Sequence, residues 1–251
     1  MKKHKICKIL LVILAIFLCV AFYELLGICV AYKKQPEVSN TTKKETKNGS
    51  WNECSENTER AVIIEKNPEA LLQRVRLIKN AKKEIILSTF AFQSDESGKL
   101  ILGALHDAAD RGVHIRLLVD GMESWIDMEG NPYFYGLSSH ENVEIKLYNK
   151  ANPLKPWKIM GRMHDKYLIA DGKRYILGGR NTYNYFLGDF PGHKNYDRDV
   201  LVVCDEPEKE NSVNQLLEYF ETIWEQEDSD YFHDNKKLAN RKSVKNAVLE
   251  L

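Results

Sequence analysis

Residues 163–181 read Met163-His164-Asp165-Lys166-Tyr167-Leu168-Ile169-Ala170-Asp171-Gly172-Lys173-Arg174-Tyr175-Ile176-Leu177-Gly178-Gly179-Arg180-Asn181. Tyr167 to Ala170 is apolar and strand-forming, and so is Arg174 to Leu177. Between them lies Asp171-Gly172, a two-residue step that suits a type I′ turn, in which both central residues take positive φ. Closing the hairpin there predicts the pairs Ala170 with Lys173, Leu168 with Tyr175 and Lys166 with Leu177, and sets His164 opposite Gly179. Side chains alternate along a strand, so His164, Lys166, Leu168 and Ala170 are expected on one face, imidazole and ammonium projecting together. The glycines opposite carry no bulk, which leaves room for a phosphate to approach the backbone. Asn181 follows at the strand end and is expected to turn its amide toward the same spot.

These residue types suit attack at phosphorus. A neutral imidazole can displace an alcohol from a phosphodiester and form a phosphohistidine that a second acceptor resolves. A lysine and an asparagine beside it can neutralise and hydrogen-bond the non-bridging oxygens. The arrangement requires no metal and no other cofactor. Taken singly, each residue has an ordinary explanation. Asp171 is a good turn residue, a lone lysine is usually a solvated surface group, and a lone histidine is more often structural than catalytic. The spacing weighs against that. His-x-Lys-x4-Asp should arise by chance in roughly one chain of this length in a hundred, and the glycine pair and asparagine lower that further.

The pattern resembles the phospholipase D superfamily, whose signature is His-x-Lys-x4-Asp followed by Gly-Gly/Ser-x-Asn. His164, Lys166 and Asp171 fall on the signature positions, and Asn181 on the downstream asparagine. Residues 162–203, with Gly178-Gly179-Arg180-Asn181-Thr182-Tyr183-Asn184-Tyr185-Phe186 and Asp197-Arg198-Asp199-Val200, are most similar to the bacterial cardiolipin-synthase branch. The resemblance implies an α/β fold, an αβα sandwich on a mixed, mostly parallel sheet. It implies His164 as nucleophile or acid, with Lys166 and Asp171 beside it as catalytic residues. Lys166 and Asn181 would bind phosphate. An acid just before a late strand orients the histidine in such enzymes; Asp197 matches that place best and Asp199 follows two residues on, each with a solvated strand entry as its plain alternative.

The chain departs from the family pattern in one respect. Most such enzymes carry two clusters, and here His4, His106, His114, His140, His193 and His233 all lack a lysine two positions on. The expected partner is therefore a second copy in a homodimer, or a second half of a longer enzyme. Membrane phospholipids resembling phosphatidylglycerol are the expected substrates. A dimeric nuclease-type phosphodiesterase is the alternative, and only under it is nucleic acid expected. Thirty-six basic and thirty-six acidic residues give zero net charge. That does not favour nonspecific nucleic-acid binding, which needs a basic footprint. The five cysteines have no metal-ligand spacing. Cys7, Cys19 and Cys29 fall in an apolar stretch, and a Cys54–Cys204 disulfide is left open.

That stretch runs from Ile6 to Tyr32, interrupted only by Lys8 and Glu24. It is long enough to cross a hydrocarbon core of about 30 Å. An uncleaved signal anchor over 1–32 is expected, with cleavage after Ala31 as the alternative. Lys2, Lys3, Lys5 and Lys8 favour a cytoplasmic N-terminus and hence an extracytoplasmic catalytic domain, whereas Lys33, Lys34, Lys43, Lys44 and Lys47 argue the opposite. Residues 33–59 read as a polar linker, 60–227 as the catalytic domain, and 228–251 as a polar, poorly patterned tail.

Strands are expected over 84–91, 113–119, 142–148 and 199–204, in addition to the hairpin. A helix capped by Asn67 before Pro68 shows a stripe of Leu71, Leu72, Val75 and Ile78. A second runs from Leu100 to Arg111. A closing helix lines up Leu216, Leu217, Phe220, Ile223 and Trp224. Strands alternating with helices argue the same layered α/β class. Residues 150–163 place Lys150, Lys155, Lys158 and Arg162 around Trp157, a composition suited either to an anionic lipid interface or to an ordinary solvated loop. Tyr183, Tyr185 and Phe186 are expected in the core or a pocket wall.

Overall fold

The structure, a computed structural model, describes residues 2–33, 39–40, 43–44, 59–206, 211–233 and 236–251. Most of the expected linker, and Cys54 with it, lies outside the described residues. The chain divides into two units, Met1–Ser55 with Ala151–Arg162, and Glu56–Lys150 with Met163–Leu251.

In the first unit, α1 (Lys2–Lys33) is a 32-residue helix. Its stretch Lys5–Ala31 is long and apolar enough to cross a membrane, and its most apolar window is not buried.

The second unit is built on one eight-stranded sheet. Its strands are β1 (Glu59–Ile64), β2 (Glu84–Thr89), β3 (His114–Asp120), β4 (Val143–Tyr148), β5 (Lys166–Ala170), β6 (Arg174–Gly178), β7 (Asp199–Cys204) and β8 (Ser229–Tyr231). Their spatial order is β1-β7-β6-β5-β2-β3-β4-β8. The sheet is mixed, as expected, but β2-β3 and β3-β4 are its parallel pairs. The other five pairings are antiparallel. The intervening helices are α2 (Asn67–Asn80), α3 (Glu96–Asp110), α4 (Gly121–Asp127), α5 (Pro132–Ser138), α6 (Ser212–Trp224), α7 (Lys236–Ala239) and α8 (Lys242–Glu250).

Alternation along the strands makes a three-layer sandwich. Ile85, Leu87, Leu117, Leu168 and Ile176 face one way and join Ile78, Leu102 and Leu105 of α2 and α3 in one buried cluster. Ile86, Leu118, Tyr167, Ile169 and Val202 face the other way, beneath Val213, Phe220 and Trp224 of α6. Two sequence expectations shift here. Asn67 is the first helical residue rather than the cap, and Lys66 takes the cap position. The buried stripe of α2 is Ala70, Leu71, Arg74, Leu77 and Ile78, while Leu72 is 46% exposed. The expected tail is also corrected: β8 extends the sheet beside β4, and α8 buries Val244 and Ala247. A three-residue strand and short helices carry too little periodicity to read from sequence.

The hairpin turn forms as expected, with φ of 55° at Asp171 and 60° at Gly172, and Lys173 donating its N–H to the Ala170 carbonyl at 3.1 Å. The ladder is one residue out of the expected register: Ala170 pairs with Arg174, Leu168 with Ile176 and Tyr167 with Leu177. Lys173 is the extra residue. Its carbonyl accepts from the Cys204 N–H on β7 at 2.8 Å, so it is claimed by the next strand instead of the hairpin partner. Asp171 also does more than turn. Its carboxylate accepts the backbone N–H groups of Lys82, Lys83 and Glu84 at 2.8–3.1 Å, tying the hairpin tip to the start of β2.

Candidate active site

The parallel strands β2, β3 and β4 end at one edge of the sheet, and antiparallel β5 and β7 begin there. Lys166 opens β5 beside Thr89, the last residue of β2. Gly178 closes β6 beside Asp199, the first residue of β7. Sheet connectivity therefore delivers His164, Lys166, Gly179, Asn181, Asp197 and Asp199 to the same edge. Asp120, at the end of β3, steadies the approach to the site: its carboxylate accepts from Met163 N–H at 3.1 Å while capping α4 through Met122 and Glu123.

Phe90, one residue past β2, is a shared wall. The His164 ring meets it edge-on, with centroids 4.6 Å apart, and the Lys166 ammonium sits 5.2 Å from its centroid. Lys166 Nζ also donates to the His164 carbonyl at 2.6 Å, fixing the ammonium beneath that residue. His164 is exposed, whereas Lys166 is only 5% exposed. Burial pushes the Lys166 pKa below the usual 10.5, partly offset by the carboxylates of Asp165 and Asp197.

Asn181 is buried, and its Oδ1 accepts from Ala91 N–H at 3.2 Å, next to Phe90. This fixes the amide orientation, with Nδ2 at its other end. Thr182 continues the contact by bridging to Phe92.

The glycine pair does something other than leave open space. A Cβ on Gly179 would overlap the Asp197 carboxylate, and one on Gly178 would overlap Asp199. Two aspartates, rather than a free cleft, occupy the space over those glycines. Asp197 is half-buried and lies close enough to Lys166 to raise its pKa.

Asp199 and Asp171 make contacts other than those expected of them. Asp199, expected as a histidine-orienting acid, is an ion-pair partner. Its buried carboxylate meets Arg74 Nη1 at 2.8 Å and Arg180 Nη1 at 3.3 Å. Asp171 stands at the far end of β5, five extended residues or roughly 16 Å from Lys166. Its expected catalytic contact is replaced by the clamp on the Lys82–Glu84 backbone.

Arg74 and Arg180 were not singled out in the sequence. Arg180 is fully buried; its guanidinium also reaches Asn67 Oδ1 and the carbonyls of Ile64 and Glu65 at 2.6–3.2 Å. It thereby pins the segment that presents Asn181. The available signal for Arg74 was a cation four residues after Ala70 and four before Ile78, inside an apolar stripe. Tyr183, Tyr185 and Phe186 pack on one another as an aromatic group, with Phe186 buried.

Residues 74–224 match the family model described as cardiolipin synthase, PLD-like domain. Cardiolipin synthase C of Escherichia coli K12 is 29% identical over 171 residues, which cover 62% of this chain and 34% of that protein. Cardiolipin synthase 1 of Staphylococcus aureus MRSA252 is 34% identical over 117 residues, covering 46% and 23%. An uncharacterized protein of Helicobacter pylori J99 is 30% identical over 206 residues, covering 76% and 38%. The chain thus spans well under half the length of these relatives. Among solved structures, phosphatidylserine synthase of Haemophilus influenzae Rd KW20 superposes with a TM-score of 0.57 at 18% identity, covering 84% of this chain and 47% of that one. The phospholipase D family member Nuc of Salmonella typhimurium gives 0.50 at 20% identity, covering 70% and 99%. These likenesses show the same fold.

Proposed function

This chain belongs to the phospholipase D superfamily, and from that membership and the site's geometry we propose that it is a membrane-anchored phosphatidyltransferase of the cardiolipin-synthase type. The observation that carries this reading is the juxtaposition at Phe90: an exposed imidazole and a desolvated ammonium on one wall, with the Asn181 amide held beside them at Ala91.

His164 attacks the phosphorus of a phosphatidylglycerol-like diester and displaces its alcohol, leaving a phosphatidyl-histidine. A second alcohol, or water, then takes the phosphatidyl group and restores the imidazole. Lys166 and the Asn181 amide bind the non-bridging oxygens, where burial strengthens the lysine's interaction with developing charge. Asp197 is the acid that orients the imidazole, and Asp171 acts at a distance by holding the hairpin. The proton for the leaving alcohol comes from a second histidine, supplied by another copy of the chain or by a second half. α1 keeps the domain at the bilayer that contains its substrate.

Thin-layer chromatography of labelled phosphatidylglycerol incubated with the full chain in vesicles tests this reading. The expected result is a new lipid product or released phosphatidate that requires His164. A second reading, a dimeric nuclease-type phosphodiesterase, is supported by the likeness to Nuc, 99% of which this fold covers. Cleavage of single-stranded DNA with no turnover of lipid would favour it.

The lowered Lys166 pKa gives a pH prediction. The ammonium is lost on raising the pH, so kcat/KM should fall on an alkaline limb below 10.5, the ordinary lysine value. Lys166→Arg should remove that limb from whatever activity remains, since a guanidinium does not titrate in this range. A limb unchanged in Lys166→Arg would assign it to another group.

A further inference from the structure

The loop 151–162 belongs to the same unit as α1 and packs against it. Tyr23 donates its hydroxyl hydrogen to the Leu154 carbonyl at 3.0 Å. Gly27 is buried, and a Cβ there would overlap the Pro156 ring. Glu24, Ile28 and Ala31, which share the helix face of Gly27, are half-covered, whereas the opposite face is open. A glycine in an otherwise bulky apolar helix thus forms the seat for a proline from a distant part of the chain.

The seat lies near the end of the apolar stretch. Tyr23 and Gly27 are eight and four residues before Ala31, about 12 and 6 Å along the axis. In a bilayer that is the depth of the headgroup boundary, where tyrosine and tryptophan concentrate. The loop presents Leu154, Trp157 and Met160 at 77%, 46% and 52% exposure. It carries Lys155, Lys158 and Arg162 and no acidic residue. Exposed apolar groups interleaved with cations, held at that depth by a spanning helix, match one partner chemistry: the surface of a bilayer containing anionic phospholipid.

We propose that residues 151–162, seated on Gly27 of α1, form a second membrane contact that inserts Leu154, Trp157 and Met160 among anionic lipid headgroups. The proposal rests on α1 being a bilayer span. It adds a lipid-selective surface to a chain that the helix alone would tether without regard to headgroup. Lys155 meets the lipid phosphates, and the Pro156 ring locked at Gly27 sets the depth of the indole.

Fluorescence of the full chain in vesicles tests it. The emission of native protein minus that of Trp157→Phe isolates Trp157. In vesicles of phosphatidylglycerol and phosphatidylcholine, lipids brominated near the headgroup end of the acyl chain should quench that difference emission. Quenching should weaken by about twofold or more in phosphatidylcholine alone, and in the same direction in Lys155→Ser. Gly27→Leu should also weaken it, by unseating Pro156. Alkaline carbonate extraction separates the two levels of the reading. A chain stripped from the vesicles would overturn the anchor and this proposal with it. A retained chain whose difference emission is unquenched, or equally quenched in neutral and anionic vesicles, would overturn the lipid contact while leaving the anchor standing.

Discussion

His164→Ala should abolish turnover, lowering kcat by about 10^4-fold or more, while leaving the protein folded. Both halves follow from where the ring sits. Its ring meets the edge of Phe90 and the residue is exposed, so truncation opens no core cavity; stability should move by no more than about 0.5 kcal/mol. The rate falls because the proposed mechanism routes every turnover through a bond between this imidazole and phosphorus. Removing a nucleophile costs far more than removing a hydrogen bond, and residual activity then reflects only binding and phosphate stabilisation. Quenching native protein during turnover should trap labelled phosphatidyl on histidine, stable in base and lost in acid, and the variant should trap none. A variant that binds phosphatidylglycerol vesicles as native protein does, with native protein itself showing no turnover, would identify a headgroup-binding protein instead. Loss of folding in His164→Ala would contradict the exposed placement of the ring.

How much of this was legible in the sequence depended on the range of the interaction. The Asp171-Gly172 turn is local, and its positive φ values follow from residue type alone. The shared face expected of His164 and Lys166 assumed a strand through both, whereas β5 begins at Lys166; the two meet through Phe90 instead. The register was not legible. Lys173 slips the ladder by one because its carbonyl serves Cys204, and the position of β7 beside β6 is a property of the whole sheet. The glycine pair read as room for a phosphate, whereas the carboxylates of Asp197 and Asp199 occupy that space. The partner of Asp199 was out of reach for the same reason: Arg74 lies 125 residues away on α2, and no local rule pairs them. The α-helical stripe concealed Arg74 because a cation among Ala70, Leu77 and Ile78 reads as an exception rather than as half of a buried pair.

The second large effect is on stability. Asp199→Ala should destabilise the fold by about 3–5 kcal/mol, because it leaves two guanidinium groups buried without their anion. Arg74 and Arg180 have side-chain exposures of 5% and 0%, and the Asp199 carboxylate between them has none. Arg180 keeps three other acceptors, at Asn67, Ile64 and Glu65. Among the described residues Arg74 keeps the Ala70 carbonyl alone as an acceptor, so the charge on Arg74 carries most of the penalty. Arg74→Met/Asp199→Ala should therefore cost less than the sum of the two single changes, the sign expected of coupled partners. A loss of this size is a large share of the roughly 5–15 kcal/mol that holds a domain together, so urea unfolding should show a clearly lowered midpoint. The kinetic consequence separates this role from that of an orienting acid. Arg180 fixes the backbone that presents Asn181, so where Asp199→Ala remains folded, at low temperature, the loss should appear chiefly as weaker phosphate binding in KM. Asp197→Asn should instead lower kcat with little change in the unfolding midpoint. If Asp199→Ala unfolds with the native midpoint yet loses kcat, the carboxylate acts on the imidazole and the ion-pair assignment fails.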